Sequence, residues 1–428
     1  MYLQALDVLQ QLHENGHGGT VPTGWEESQR LLPSVARTFL SPARFLESRV
    51  WSGLPEDTDA VLLKTAERIV ASPALLALAW HGFWTAFESP EPVSLASWPR
   101  LEHMLGRDAG VFYLLIGLEM IPRMRTNQES VGFPERVARE TALQIQCYCE
   151  TYQRANAGKP GLHPRQLGWL RHYTREPYVR VGRLEYWLRP NPNTPVMFCH
   201  RDTGHTIALA EANTRFTPAG YIDVRSDRDD SDQDWTATFE TTEDSVIGFP
   251  ISPSGMALQQ RITLPKSEWE NVLKKGDPVL QMHIPAGGKM TPEATKDSVQ
   301  RAFQLFDETF PDQPPSAIVC GSWIFGNQLQ EIFASSANLV RFQRELYLHP
   351  VGSTPQSGLW FIFLEDSVNP MTSPRDTSLR RGVLDHIAAG GEWRVGGMIF
   401  LARHAGMFGT QLYRTNWPPP QFPQLANL

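Results

Sequence analysis

Between residues 156 and 178 the spacing of apolar side chains changes from every third or fourth position to every second, and no other feature of the sequence constrains the fold as strongly. Before the change, "LQALDVLQQL", "DAVLLKTAERIVAS", "SPALLALAWHGFWTAF" and "PERVARETALQIQCYCETYQRA" carry the helical period, and Ser72 followed by Pro73 supplies a cap and a first helical residue. The helix breakers of "NAGKPGLHP" (156–164) close this region. Beyond them, "YVRVGRLEYWL" sets Val179, Val181, Arg183, Glu185 and Trp187 on one face of a strand. "PVMFCH", "HTIALAE", "WTATFETT", "SVIGFPIS" and "GMALQQRITL" read as further strands. A chain of 428 residues is too long for one simple core, so two globular units are expected. Their expected bounds are an all-α region over 1–175, an α+β domain over 176–415 and a proline-rich tail over 416–428, extended or loosely ordered.

The order of elements after residue 265 narrows the fold class. "KSEWENVLKKG" reads as a short helix, followed by a strand at 278–284, a glycine loop, and a helix at 292–310 with Val299, Ala302, Phe303, Phe306 and Phe310 in one stripe. A strand in "SAIVCGSWIF", helices across "NQLQEIFASSANLVRFQREL", strands in "YLHPVG" and "GLWFIFLE", and a last helix in "TSLRRGVLDHIAA" capped by Asp376 or Thr377 complete the pattern. Strands alternating with helices of this length imply a mixed sheet with crossover helices.

Composition excludes some function classes. A formal charge of -7 and a pI near 6.0 argue against a nucleic-acid or anionic-membrane surface, which needs clustered Lys and Arg. A small-molecule substrate is the expected partner. Cys147, Cys149, Cys199 and Cys320 lack zinc-like spacing, and Cys147 and Cys149 are too close in sequence for an ordinary disulfide, so a reducing cytoplasm is expected. "MYLQALDVLQQLHENG" lacks the pattern of a signal peptide. "GVFYLLIGLEMIP" contains Glu119 and is too short to cross a bilayer.

Three stretches carry candidate chemistry. In "HIPAGGKMTPEATKDSVQRAF" (283–303), Thr291 caps a helix whose N-terminal amides, with Gly287, Gly288 and Lys289, suit an anion. Glu293 already supplies negative charge to the same turn, and a plain strand-to-helix connection is the alternative reading of these residues. In the strand before it, Val279, Gln281 and His283 share a face, with His283 at the carboxyl end, where open sheets hold ligands. If strand 316–324 is its neighbour, Cys320 or Ser322 is expected near His283. A histidine base and a Ser322 donor to a leaving thiolate would then suit thioester chemistry. Glu185 is a second candidate base, with pairing to Arg183 as the structural alternative. "CHRDTGH" offers His200, Asp202 and His205 as metal ligands of a hydrolase, or else as a hairpin turn. The aspartates of "RSDRDDSDQDW" read as a solvated turn.

Four segments add a resemblance. "HYTREPYVRVGRLEYWL", "VLQMHIPAGGKMTPEATKDSVQRAFQLFDETFP", "CGSWIFGNQLQEIFASSANLVRFQRELY" and "DTSLRRGVLDHIAAGG" together resemble a bacterial family of two-domain acyltransferases. In that family a helical N-terminal domain precedes a C-terminal domain similar to the GCN5-related N-acetyltransferases (GNAT). The resemblance implies an α+β, GNAT-like mixed-sheet domain, an acyl-CoA co-substrate, and transfer of an acyl group to an amine or hydroxyl of a small metabolite. It also implies a central strand, here 278–284, that splays from its neighbour to receive the pantetheine arm. The pyrophosphate would lie at loop 285–291, with Gly287, Gly288, Lys289 and Thr291. "PAGGKMTP" departs from the family's arginine or glutamine followed by spaced glycines, which keeps a non-catalytic binding protein on the degenerate fold as the alternative.

Overall fold

The computed structural model describes residues 8, 23–30, 39–91, 98, 99, 101–192, 195–222, 224, 233–365 and 367–427. It divides into two compact units, Met1–Val181 with Ile284–Gly288, and Gly182–His283 with Lys289–Leu428. Of the first expected helix, "LQALDVLQQL", only Val8 is among the described residues, and residues 225–232 of the aspartate-rich stretch lie outside them.

The first unit is helical, as the resemblance implies. Its longer helices are Pro42–Ser52, Thr58–Ala71, Pro73–Phe83, Ala109–Leu118, Met120–Val131, Glu135–Ala142, Gln144–Ala155 and Pro164–Arg175. Ser72 caps the third of these, its side chain accepting from the Leu75 amide, with Pro73 as the first helical residue. Every residue of Ala109–Leu118 is buried, so this helix is apolar on all sides because packing surrounds it. No helix among the described residues is long and apolar enough to cross a membrane.

Directly after that buried helix, Glu119 is 2% exposed and accepts from Arg44 through Nε and Nη2 at 2.6 and 2.8 Å and from Arg123 at 3.0 Å. Arg123 also lies 4.6 Å from the centroid of the Phe83 ring. A buried carboxylate is tolerated only with such partners. Glu119→Ala removes the anion between two guanidiniums and opens space beside a packed helix. It should lower unfolding free energy by about 3 kcal/mol, the lower end of the range for a broken buried pair because both arginines keep some water. Urea unfolding checks this, and a loss below about 1 kcal/mol would mark the network as no stronger than a surface pair.

The second unit contributes five strands to a mixed sheet, β1 (Leu184–Pro190), β2 (Pro278–His283), β3 (Ala317–Ser322), β4 (Tyr347–Pro350) and β5 (Gly396–Leu401), in spatial order β1-β2-β3-β5-β4. Only β2 and β3 run parallel, and α1 (Pro292–Thr309) connects them. The buried stripe of α1 includes Val299, Ala302, Phe303 and Phe306, and it packs on one sheet face, with Phe303 against Phe400 and the Ser298 hydroxyl bonded to Tyr186. On the other face, Tyr347 Oη donates to the Ile251 carbonyl and accepts from the Ala208 amide. Those two partners belong to a smaller antiparallel sheet that the chain forms between β1 and β2, with Val196–His200 and Trp269–Leu273 among its strands.

Four elements differ from the sequence reading. "KSEWENVLKKG" contains the strand Trp269–Leu273, paired with Val196–His200, because Trp269 and Leu273 are both buried in that sheet's core while Glu270 between them faces outward to Arg201 and Arg403. "GLWFIFLE" is a single helical turn, Trp360–Phe363, between the left-handed Gly358 and Leu364, and its Ile362 and Phe363 bury into a local apolar cluster. The third is the strand Gly396–Leu401, which the sequence pattern does not mark. The proline-rich tail is packed, since Phe422 and Leu425 enter the same core as Trp269.

Candidate functional site

The β1–β2 ladder pairs Glu185 with His283 directly. Paired residues on neighbouring strands project to the same face, and Glu185 Oε2 lies 2.8 Å from His283 Nδ1. Glu185 is fully buried, whereas the His283 side chain is 32% exposed. A carboxylate can only accept, so Nδ1 carries the hydrogen, and Nε2 is the lone-pair nitrogen whenever the ring is neutral. This is the orientation in which a histidine serves as a general base. The sequence presented Glu185 and His283 as alternative bases, but the fold brings them together as one dyad.

The β2–β3 ladder is short. Its partners are Val279 with Ala317, Leu280 with Ile318 and Gln281 with Val319, and the register ends there. β2 continues to pair with β1 as far as His283, while β3 continues to pair with β5 as far as Ser322. The two parallel strands therefore part at their carboxyl ends, and His283 stands at the start of the opening. This is the splay that the resemblance implied for strand 278–284.

Alternation along β2 and β3 decides which residues share the face of His283. With Gln281 opposite Val319, that face carries His283 and Gly321, while Cys320 and Ser322 point to the opposite face. The expected approach of Cys320 or Ser322 to His283 is therefore not found. Burial pushes the Cys320 thiol up to about 12, so it stays protonated at neutral pH and is a poor nucleophile. Ser322 Oγ accepts from the Ile324 amide at 3.3 Å and starts the short helix Trp323–Phe325. Gln343, fully buried, donates to the Ile324 and Gly326 carbonyls at 2.6 and 2.9 Å and fixes the chain just past β3.

The loop after β2 falls partly in each unit, with Ile284–Gly288 counted in the first and Lys289 onward in the second. Gly287 and Gly288 have φ of 79° and 64°, a left-handed region that glycine enters without strain. Within the first unit the Cys147 thiol donates to the Ala286 carbonyl, and a Cβ on Gly287 would stand 3.6 Å from Cys147 Sγ. Within the second, Thr291 Oγ1 accepts from the Ala294 amide at 3.3 Å and caps α1. Glu293 is held below the usual carboxylate range by its own backbone amide and the Thr291 hydroxyl, with Arg341 adding to the effect. The first turn of α1 thus has a built-in anion.

"CHRDTGH" forms a turn. His200 Nδ1 accepts from the Asp202 and Thr203 amides, both at 3.3 Å, and the His200 amide donates to the His205 carbonyl. Among the described residues no group of three or more His, Cys, Asp or Glu is arranged to hold a metal ion.

Comparison with known proteins agrees with this architecture. Residues 178–400 match the model of the GNAT-like C-terminal domain. No curated protein sequence matches the chain. Similar solved structures include an acyltransferase variant in complex with octanoyl-CoA, at 19% identity over 84% of this chain and 99% of that one, with a TM-score of 0.49. Another is an acyltransferase in complex with decanoyl-CoA and teicoplanin, at 20% identity over 83% of this chain and 99% of that one, with a TM-score of 0.48. The family match spans more than half of the chain, from before β1 to the next-to-last residue of β5, and on that ground the protein belongs to the family with a GNAT-like C-terminal domain.

Proposed function

We propose that the protein is an acyltransferase that moves an acyl group from acyl-CoA to an amine or hydroxyl of a small metabolite. The observation that carries this reading is the Glu185–His283 pair at the point where two parallel strands separate. His283 Nε2 takes the proton from the acceptor as its nitrogen or oxygen bonds to the thioester carbonyl carbon. Glu185 holds the ring and stabilises the imidazolium that forms. Backbone amides along the opened strand edge stabilise the carbonyl oxygen as charge develops on it. The carbon–sulfur bond then breaks. The coenzyme A thiolate leaves and takes its proton from solvent, because Ser322 lies on the opposite face of the sheet from His283. The acyltransferase structures similar in fold carry acyl-CoA ligands, which is consistent with this donor.

In this reading Gly287, Gly288, Lys289 and Thr291 receive the pyrophosphate. Calorimetric titration with acetyl-CoA and octanoyl-CoA tests it, together with a Gly288→Ala, Lys289→Ala double variant. Saturable binding is expected to weaken about tenfold or more in the variant, the worth of one charge-assisted contact. No binding of either thioester would leave the fold as a non-catalytic scaffold. Equal binding by the variant would move the pyrophosphate elsewhere.

A further inference from the structure

The face that carries the dyad continues across the sheet. Gly321 on β3 pairs with Gly397 on β5, and Gly397 pairs with His349 on β4. The row therefore runs Glu185, His283, Gly321, Gly397, His349, with two histidines separated by two residues that have no side chain. Three strand spacings separate the outer pair, roughly 14 Å between their Cα atoms before the splay widens the gap. The floor between them is open at Gly321, where an added Cβ would meet no atom within 4 Å. At Gly397 the floor is roofed, since a Cβ there would collide with Cε1 and Nε2 of the His349 ring. The imidazole thus leans from β4 over β5, toward the open floor.

His349 is an independent sign that something polar belongs in this groove. It is only 5% exposed, and its one described hydrogen bond joins Nδ1 to the Pro350 carbonyl at 3.2 Å. A carbonyl can only accept, so Nδ1 bears the hydrogen and Nε2 the lone pair. Burial holds the ring at about 4, neutral at physiological pH. Its Nε2 is therefore an acceptor that no described residue satisfies, and it is not sealed from solvent, so the donor group of a ligand can reach it.

We propose that the glycine-floored groove between His283 and His349 is the acceptor site, and that it selects acceptors bearing two donor groups, such as diamines and amino alcohols. This rests on the acyltransferase reading. His283 takes the proton of the reacting group, while His349 is a positioning residue that accepts a hydrogen bond from the second one. Gly321 and Gly397 keep the floor clear.

The test compares 1,3-diaminopropane and 3-aminopropanol with propylamine as acceptors, following thiol release from acetyl-CoA or octanoyl-CoA. The two-donor acceptors should show KM values about tenfold lower, since losing a partner for a buried acceptor has that cost. His349→Phe should erase the difference by raising KM for the two-donor acceptors alone, with kcat nearly unchanged, and His349→Gln should restore part of it. Gly321→Val, placed in open space, should fold normally and raise KM for every acceptor. An unchanged preference in His349→Phe, or no preference in the parent protein, overturns the proposal. A second measurement does not depend on turnover. The imidazole NMR signals of His349 should shift on titration with 1,3-diaminopropane and not with propylamine. Failure of acyl-CoA binding by calorimetry would sink the acyltransferase reading, whereas intact binding with no shift at His349 would sink this inference alone.

Discussion

His283→Ala should lower kcat by about two to four orders of magnitude while leaving the unfolding midpoint and acyl-CoA affinity close to those of the parent, because general-base catalysis contributes on that scale. The side chain is a third exposed, so removing it opens no deep cavity. Glu185→Gln should lower kcat by a smaller factor. The amide can present its NH2 to Nδ1, which favours the wrong tautomer and places the hydrogen on Nε2. Single-turnover thiol release with saturating acyl-CoA measures both. A His283→Ala variant with parental turnover would remove the histidine from the mechanism, and an equal loss of folding would make the pair structural.

Acidification is expected to destabilise both units well before carboxylates protonate. His81 in the helical unit, and His349 and His404 in the sheet unit, are each lowered to about 4 by burial. The ordinary imidazole value near 6.5 applies once the chain unfolds. Each group therefore contributes stability that is fully present above about pH 6.5 and is lost as pH falls toward 4, since the unfolded chain binds the proton more readily. At pH 5 the loss is about 2 kcal/mol per histidine, and about 6 kcal/mol for the three, against the 5–15 kcal/mol typical of a folded protein. Thermal unfolding at pH 7.5, 6 and 5 should show a steep fall. His81→Phe should flatten it for the helical unit, because the phenyl ring can keep the contacts with Trp25, Trp84 and Trp98. A melting temperature unchanged from pH 7.5 to 5 would refute the prediction.

The sequence revealed the helical first region, the β2–α1–β3 succession and the position of His283 at a strand end, because each is written in local periodicity and capping. What it concealed depends on pairing. Nothing local to Glu185 or His283 says that they lie opposite each other, as that register is set across a ladder between distant strands. Cys320 and Ser322 cannot be separated from His283 by sequence, because alternation gives two faces without saying which face of one strand matches which of the next. Gly396–Leu401 escaped because its glycines weaken the strand signal, although those glycines are required where Phe325 and His349 approach. His349 in "YLHPVG" carries no local sign of its position, because only the glycine opposite it gives its ring somewhere to lie. Trp269–Leu273 reads as helical from its Lys and Glu content, yet its two buried ends fit only a sheet.

The smaller sheet that the chain builds between β1 and β2 sets the two members of the dyad 98 positions apart in sequence. On a ribosome adding about 5–20 residues per second, the carboxylate emerges roughly 5–20 s before its imidazole. β1 therefore waits with the edge that faces β2 unpaired and with a charged group that cannot yet be desolvated, and the nascent domain has no way to finish its sheet from the N-terminal side alone. Closing a contact of this sequence separation is also entropically slow. Recovery of the histidine base should consequently be among the last events of refolding, and the protein should acquire its chemistry only once its topology is complete.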